Sequence, residues 1–461
     1  MTTQERIKER RIGIVGMARS GLAAALLAKK MGGVPFVSDN GRAERLKSQT
    51  EQLCKASIPF ETDGHTDKLL ECDYIIISPG IPMQSEIVQK IHKTGLPVFS
   101  EIEFASWVCK GRIVAITGSN GKTTTTTLIG EIFKAAGFDT YVCGNIGLPF
   151  AEVVTEIPYD GIAVVEVSNF QLETISDFKP HIAMILNLSP DHLDRHGTFE
   201  AYKEAKYRIT ENQTESDYLI LNQDDPGTNP DEIKTAAKVL TFSVNDNNES
   251  AAFMRDRKLC LIVDGMPEEV ISCDDILIPG PHNLQNSAAA IVAANIFGIS
   301  KNVLKMVLNT FPGVEHRLER LNSVAGINFI NDSKATNVDS VCYALQSVDT
   351  PLYLIAGGRD KGSPYEPLIP YGKNKIKGII AIGEAKEKLM NALGRNFPVQ
   401  FAESMEEAVE ICFDMAYPGE TVLLSPACAS FDMFENFEHR GRVFKTVVAN
   451  LKNGKTSKQK N

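Results

Sequence analysis

Residues 113–127, IVAITGSNGKTTTTT, constrain this chain more than any other stretch. An apolar strand, Ile113 to Ile116, runs into a glycine-rich turn, then Lys122, then five threonines that open a helix. Such a unit sets the free N–H groups of a helix start at the end of a strand, a cradle for phosphate. Gly118 and Gly121 let the backbone curl around an anion, with Ser119 and Asn120 between them. Lys122 can reach terminal phosphates, the Thr123 hydroxyl can bind Mg²⁺, and Thr124 follows in the same helical turn. The match is not a strict Walker A, because the first glycine of G-x-x-x-x-G-K-[ST] falls at Ile116. Set against an ordinary strand–helix turn, ATP binding is the reading that the stretch and its context support.

The 461 residues suffice for about three domains. A hydrophobic fraction of 43% and a charged fraction of 23% are ordinary for a globular protein. No apolar run approaches the ~18 residues of a membrane span, and the charged start, MTTQERIKERR, lacks a signal core. The nine cysteines are scattered without a C-x-x-C pair and read as reduced thiols of a cytoplasmic protein. A net charge of −10 argues against a nucleic-acid partner. The last residues, LKNGKTSKQKN, read as a frayed basic tail rather than a binding site.

Strand and helix signals alternate along the chain. In residues 1–109, RIGIV, VPFVSDN and CDYIIIS are strands, and LAAALLAKKM is a helix between the first two. This βαβ rhythm means a parallel sheet with its ligand at the strands' carboxyl ends. Gly13, Gly16, Ser20 and Gly21 fail the dinucleotide fingerprint G-x-G-x-x-G because position 18 is Ala, so a nicotinamide cofactor is disfavoured. Another nucleotide or pyrophosphate at that helix start fits better. Residues 110–312 hold the phosphate loop, then GNIGLPF and strands in GIAVVEVSN and HIAMILNLS. The helix after the phosphate loop is expected to end at Gly137. Residues 313–461 show strands GINFINDS, PLYLIAGG, GIIAIG and TVLLSPA between helices. The expected fold is α/β: a Rossmann-like domain, a P-loop ATPase domain and a second Rossmann-like domain in series, each with a mostly parallel sheet.

Several clusters carry chemistry. Glu166 has apolar flanks, and a buried carboxylate needs a cation partner, so a Mg²⁺ ligand beside the phosphate loop is preferred to a capping glutamate. Asp191, His192, Asp194, Arg195 and His196 crowd the end of a strand; the spacing matches no structural zinc site, and His192 is equally readable as a Mg²⁺ neighbour or a helix-capping turn residue. Lys206, read alone, is a surface lysine. Asn283 and Asn286 can match an adenine edge or cap a helix. Arg317, at a domain junction, can clamp a phosphate. Three segments follow strands in one domain: NDSKATN (Asp332, Ser333, Lys334, Thr336), GGRDKG (Asp360, Lys361) and SPACASFDMFENFEHRG (Ser425, Ser430, Phe431, Phe437). Each alone reads as a well-formed turn; together they read as one pocket.

Taken together, SPGIP, AITGSNGKTT, GNIGLP, EVSNFQLE, DHLDRHG, NDSKATN and LSPACASFDMFENFEHRG resemble the Mur ligases over essentially the whole chain. Within that family the chain is most similar to the branch that adds D-glutamate; the acidic Asn-Pro-Arg motif usual in branches adding diaminopimelate or lysine is not found. The resemblance implies an ATP-dependent ligase that joins D-glutamate to UDP-N-acetylmuramoyl-L-alanine in peptidoglycan synthesis, a cytoplasmic monomer acting on small molecules. It assigns Lys122 and Thr123 to ATP phosphates and Mg²⁺, Glu166 to Mg²⁺, and His192 with Lys206 to a second Mg²⁺. The lysine matching Lys206 is carbamylated in the family; a bare ammonium ~4 Å from Mg²⁺ would repel it by roughly 8 kcal/mol at a dielectric near 20. Asn145 and Ser168 would contact the muramoyl-alanine portion; Met17, Ala18, Ser38, Asp39, Asn40 and Gly80 would surround the uridine diphosphate. Asn283, Asn286, Arg317 and Asp332 would hold the nucleotide. Lys334, Thr336, Lys361, Ser430, Phe431 and Phe437 would shape the D-glutamate site, where a dicarboxylate needs cations and hydroxyls.

The implied chemistry is phosphorylation of the alanyl carboxylate to an acyl phosphate, then attack by the D-glutamate amine. Closure of the third domain, bringing in Arg317 and Lys334, would exclude water. Two rivals stand beside it: another amide ligase of the same fold, such as a folylpolyglutamate synthase or a different Mur enzyme, and a non-catalytic nucleotide-dependent binding or switch protein.

Overall fold

The computed structural model describes residues 3–247, 249–278 and 280–451, with the backbone alone for Thr3, Gln4, Leu193 and Asp194. The basic tail, residues 452–461, therefore lies outside the described residues. Two compact units are present: residues 1–275 with 285–309, and residues 276–284 with 310–461.

The first unit contains two sheets. In one, β1 (Arg11–Val15), β2 (Val34–Ser38), β3 (Phe60–Glu61), β4 (Tyr74–Ile77) and β5 (Val98–Ser100) are all parallel, in the order β3-β2-β1-β4-β5. The apolar runs of the central strands β1 and β4 are buried on both faces, as inner parallel strands require. Gly21 follows from that packing: a Cβ there would fall 1.8 Å from the Gly16 carbonyl oxygen, so only glycine lets the helix Arg19–Lys30 meet the first turn.

The other sheet has nine strands: β6 (Arg112–Thr117), β7 (Thr140–Gly144), β8 (Ile162–Glu166), β9 (Ile182–Ile185), β10 (Tyr218–Asn222), β11 (Lys238–Phe242), β12 (Ala252–Arg255), β13 (Lys258–Val263) and β14 (Met266–Ser272). Their order is β14-β13-β12-β11-β10-β9-β6-β8-β7. The P-loop strand β6 is flanked by β9 and β8, with Ile116 opposite Glu166. The helix Lys122–Ala135 follows and is closed by Gly137 at φ +88, the left-handed glycine stop expected there. The sequence reading held no antiparallel strands here; β12–β14 form an antiparallel meander that extends the sheet. One continuous apolar core joins both sheets of this unit, from Ile12 and Ile14 through Ala115 and Val165 to Leu221.

The second unit is built on β15 (Glu319–Arg320), β16 (Asn328–Asn331), β17 (Leu352–Gly357), β18 (Ile376–Ile382), β19 (Val399–Phe401) and β20 (Thr421–Leu424), ordered β15-β16-β20-β17-β18-β19. All pairs are parallel except β15 with β16. Separate apolar layers cover its two faces. The ends of β16, β20 and β17 lie side by side, which is why the three polar segments that follow them converge.

Candidate active site

The phosphate loop forms as its sequence dictates. Gly118 (φ +144) and Gly121 (φ +85) take conformations that L side chains avoid. Gly121 caps the helix Lys122–Ala135 and, as glycine, sets no side chain over the helix start, the place where an anion is favoured. Asn120 N–H is held by Asn187 Oδ1 (2.8 Å), and Ser119 Oγ lies 2.9 Å from Tyr202 Oη. Lys122 Nζ curls onto the carbonyls of Gly118 (2.8 Å) and Ser119 (2.9 Å). Asn286 lies at this loop, its Oδ1 2.4 Å from where a Cβ on Gly121 would stand.

Glu166 is buried at the end of β8. Its Oε2 accepts from Thr123 Oγ1 (2.7 Å) and its Oε1 from Asn145 Nδ2 (2.9 Å). A buried carboxylate beside a hydroxyl and an amide, all neutral hydrogen-bond partners, is a hard-oxygen donor set that suits Mg²⁺. Ser168 is spent locally: with Gln171 it forms a capping box on the short helix Asn169–Leu172.

Lys206 corrects the reading made from the residue alone. It is 1% exposed, not on the surface. Its Nζ donates to Gly118 O (3.0 Å) and Thr117 Oγ1 (3.3 Å) and stands 4.8 Å from the Tyr202 ring centre. Burial, reinforced by the charge of Lys122, holds its ammonium well below the usual lysine range. A helical pattern cannot report which face meets the phosphate loop, so nothing local in EAYKEAKYRI reveals this burial.

His192 has φ +52, and its Nε2 lies 3.6 Å from Asp191 Oδ2. Asp194 was also named in this cluster, but its side chain lies outside the described residues. Arg195, a member of that cluster without an assigned role, bridges outward. It donates to Pro79 O and Ile81 O (both 3.3 Å), bracketing Gly80, while its guanidinium covers the Phe170 ring at 3.7 Å. Beside β1 and β2, Asp39 accepts from Met17 N–H (2.6 Å) and Gly41 N–H (2.7 Å), joining the turn of Met17 and Ala18 to that of Asn40. Ser38 is buried, with its Oγ donating to Glu61 (2.6 Å) and 2.7 Å from His65 Nδ1.

In the second unit, Asp332 Oδ2 accepts from Ser425 Oγ (2.7 Å) and Oδ1 from Leu318 N–H (3.2 Å). Burial pushes its carboxyl up to about 7, against the lowering effects of Ser425 and Arg317. Arg317, Asp332, Lys334, His282 and Tyr343 line one small cavity. Asn283 is buried one residue from His282. Lys334 Nζ lies 5.1 Å from the Phe437 ring centre, a cation–π distance. Lys361 and Phe431 are exposed, whereas Ser430 is buried. Arg440, within a quoted motif but given no role, is wholly buried: Nε donates to Ser333 Oγ (3.0 Å), Nη2 to Ser333 O (2.8 Å) and Nη1 to Cys428 O (3.2 Å). Its neighbours bind the strand-end segments together.

The chain matches three family descriptions: "MurD N-terminal domain" over residues 11–87, "Mur ligase middle domain" over 116–294, and "Mur ligase, glutamate ligase domain" over 316–428. It is 42% identical to a UDP-N-acetylmuramoylalanine--D-glutamate ligase of Thermoanaerobacter sp. (strain X514), covering 97% of this chain and 99% of that one. An enzyme of the same name from Chloroherpeton thalassium is also 42% identical, over 97% and 100%. The fold is similar to that of the UDP-N-acetylmuramate-alanine ligase MurC of Thermotoga maritima (TM-score 0.61, 17% identity, 96% and 99% covered). It is likewise similar to MurF of Acinetobacter baumannii (TM-score 0.63, 18% identity, 98% of each). Among the described residues no helix is long and apolar enough to cross a membrane. The chain belongs to the Mur ligase family of ATP-dependent, amide-bond-forming ligases.

Proposed function

We propose that this chain joins D-glutamate to UDP-N-acetylmuramoyl-L-alanine, with ATP converted to ADP and phosphate, in peptidoglycan precursor synthesis. The carrying observation is 42% identity to ligases of that name along nearly the entire length of both chains. In this reading the chain acts in the cytoplasm as a monomer. Residues 1–109 bind the uridine diphosphate, 110–312 bind ATP, and 313–461 bind the amino acid and part of the nucleotide.

The alanyl carboxylate attacks the γ-phosphorus of ATP, releasing ADP and leaving an acyl phosphate. The D-glutamate amine then attacks the acyl carbon; the amide bond forms, phosphate leaves with the bonding electrons, and the nitrogen's extra proton passes to solvent. Lys122 and the helix start it adjoins stabilise charge spread over the transferring phosphoryl group. Thr123 and Glu166 would hold one Mg²⁺, and His192 with a carbamylated Lys206 a second; such cations would supply positive charge to offset the phosphate oxygens. Carbamylation needs an amine without its proton, because the nitrogen lone pair must attack CO₂. Burial of Lys206 lowers its pKa and so favours that unprotonated amine.

Asn145 and Ser168 face the muramoyl-alanine portion, and Met17, Ala18, Ser38, Asp39, Asn40 and Gly80 the uridine diphosphate. Gly118, Ser119, Asn120, Gly121 and Thr124 cradle phosphates; Asn283, Asn286, Arg317 and Asp332 hold the rest of the nucleotide. Lys334, Thr336, Lys361, Ser430, Phe431 and Phe437 form the D-glutamate site. The test is phosphate release from ATP with UDP-N-acetylmuramoyl-L-alanine present and D-glutamate, L-glutamate, L-lysine or diaminopimelate added in turn. Turnover confined to D-glutamate is expected; turnover with another amino acid would overturn the substrate, and none with any would revive a non-catalytic role.

A further inference from the structure

Lys361 and Ser430 sit on different loops, after β17 and after β20. At their base the loops are pinned by reciprocal backbone hydrogen bonds: Arg359 N–H to Ala429 O (2.9 Å) and Ala429 N–H to Arg359 O (3.1 Å). Beyond that base, the tip that carries Lys361 needs another tie, since Lys361 itself is exposed. Tyr365 provides one. Its ring is buried, and its Oη lies 2.8 Å from Asp360 Oδ1 and 3.0 Å from Cys428 Sγ. The other oxygen of Asp360 accepts from Lys388 Nζ (2.7 Å), which also donates to Ser363 O (3.2 Å).

The direction of these bonds follows from chemistry. A carboxylate only accepts, so the Tyr365 O–H donates to Asp360 and its oxygen is left to accept the Cys428 S–H. Burial keeps that thiol protonated, with its pKa pushed up to about 11. Thus a chain of donors runs from Cys428, two residues before Ser430, through Tyr365 to Asp360, the residue before Lys361. We infer that the Tyr365 hydroxyl is a positioning group for the amino-acid site, latching the Lys361 loop to the Ser430 loop. This rests on the functional reading above, in which both loops meet D-glutamate.

The experiment compares steady-state KM for D-glutamate, ATP and UDP-N-acetylmuramoyl-L-alanine in the full-length wild type and in Tyr365→Phe. The variant keeps the ring and the backbone bridge and loses only the hydroxyl. The KM for D-glutamate is expected to rise about tenfold, the scale of one buried hydrogen bond. The other two KM values and kcat should stay near wild type. Cys428→Ala, a second route to the same break, should share the defect, and Cys428→Ser, which keeps a donor, should restore most of it. An unchanged D-glutamate KM, or a parallel decline of all constants together with Tm, would overturn the latch. A wild type that turns over only with another amino acid overturns the functional reading instead; the latch is then judged on that amino acid's KM.

Discussion

Lys206 Nζ and Lys122 Nζ share one acceptor, the carbonyl oxygen of Gly118, at 3.0 and 2.8 Å. Burial, and the repulsion of two cations on one oxygen, lower the Lys206 pKa well below the usual lysine range. The Gly118 carbonyl of the phosphate loop therefore joins both lysine nitrogens. A neutral amine in that place is a nucleophile toward CO₂ as well as a hydrogen-bond donor.

The first prediction concerns that amine. ¹³C-bicarbonate added to the protein should give a carbamate NMR signal that Lys206→Met lacks. Turnover in that variant should drop more than about 10²-fold, as for loss of a group that holds a transition-state charge. Stability should move the other way. Because the folded-state pKa is lowered, the unfolded chain binds a proton that the native chain does not, from the depressed value up to about 10.4. In that window the unmodified lysine costs stability, more so as pH falls. Without bicarbonate, Lys206→Met should melt no lower than the wild type at pH 7. A variant that keeps its activity would remove Lys206 from the site.

Lys122→Ala should lower kcat by about 10²–10³, the cost of one preorganised donor to a developing anion. Its Nζ bonds are to carbonyls of its own loop, so Tm should change little. Activity that persists at wild-type level would separate this loop from phosphoryl transfer.

How much of this could be read from sequence differs by residue. The β6–turn–helix is local: its apolar run, its glycines and Lys122 are contiguous, so short-range rules suffice. The convergence of Asp332, Asp360 and Ser425 also followed, because carboxyl ends of parallel strands share one edge. Lys206 did not follow from its own segment, since its burial depends on a partner 88 residues away, Gly118. Arg440 stayed hidden for the same reason: its acceptors, Ser333 and Cys428, come from other loops. The meander β12–β14 escapes the sequence reading because β12 has only four residues, β14 (MPEEVIS) carries a proline and two glutamates, and no helix separates the strands as in a βαβ rhythm.

If Asp332 holds the nucleotide as proposed, its raised carboxyl pKa should make that site pH-sensitive. Its folded-state pKa is raised to about 7, against about 3.9 unfolded. Between those values the native state binds more protons than the unfolded one, so this residue's contribution to stability falls as pH rises. Asp332→Asn should nearly match wild type at pH 4 and be more stable by about 4 kcal/mol at pH 8. Ionisation also makes the carboxylate a better acceptor for nucleotide hydroxyls, so the KM for ATP should fall between pH 6 and 8 in the wild type and stay flat in the variant. A KM trend shared by both would assign the pH dependence to another group.

Arg440 separates tying loops together from tuning one of them. Burial lowers its pKa to about 10, so it remains a cation at neutral pH, and its bonds go to Ser333 Oγ, Ser333 O and Cys428 O. Arg440→Ala would leave those oxygens buried without their donor, at about 1–3 kcal/mol each before relaxation, so a total loss of about 3–5 kcal/mol is expected. Lysine offers a single nitrogen and cannot reach both loops, so Arg440→Lys should recover less than half of it. Calorimetry should show the transition of the second compact unit lowered while that of the first stays in place. Since Ser333 adjoins Asp332 and Cys428 precedes Ser430, the KM values for ATP and D-glutamate should rise together, unlike the selective change expected of Tyr365→Phe. An Arg440→Ala variant with both constants and the melting profile unchanged would mean that the backbone ladder alone holds these loops.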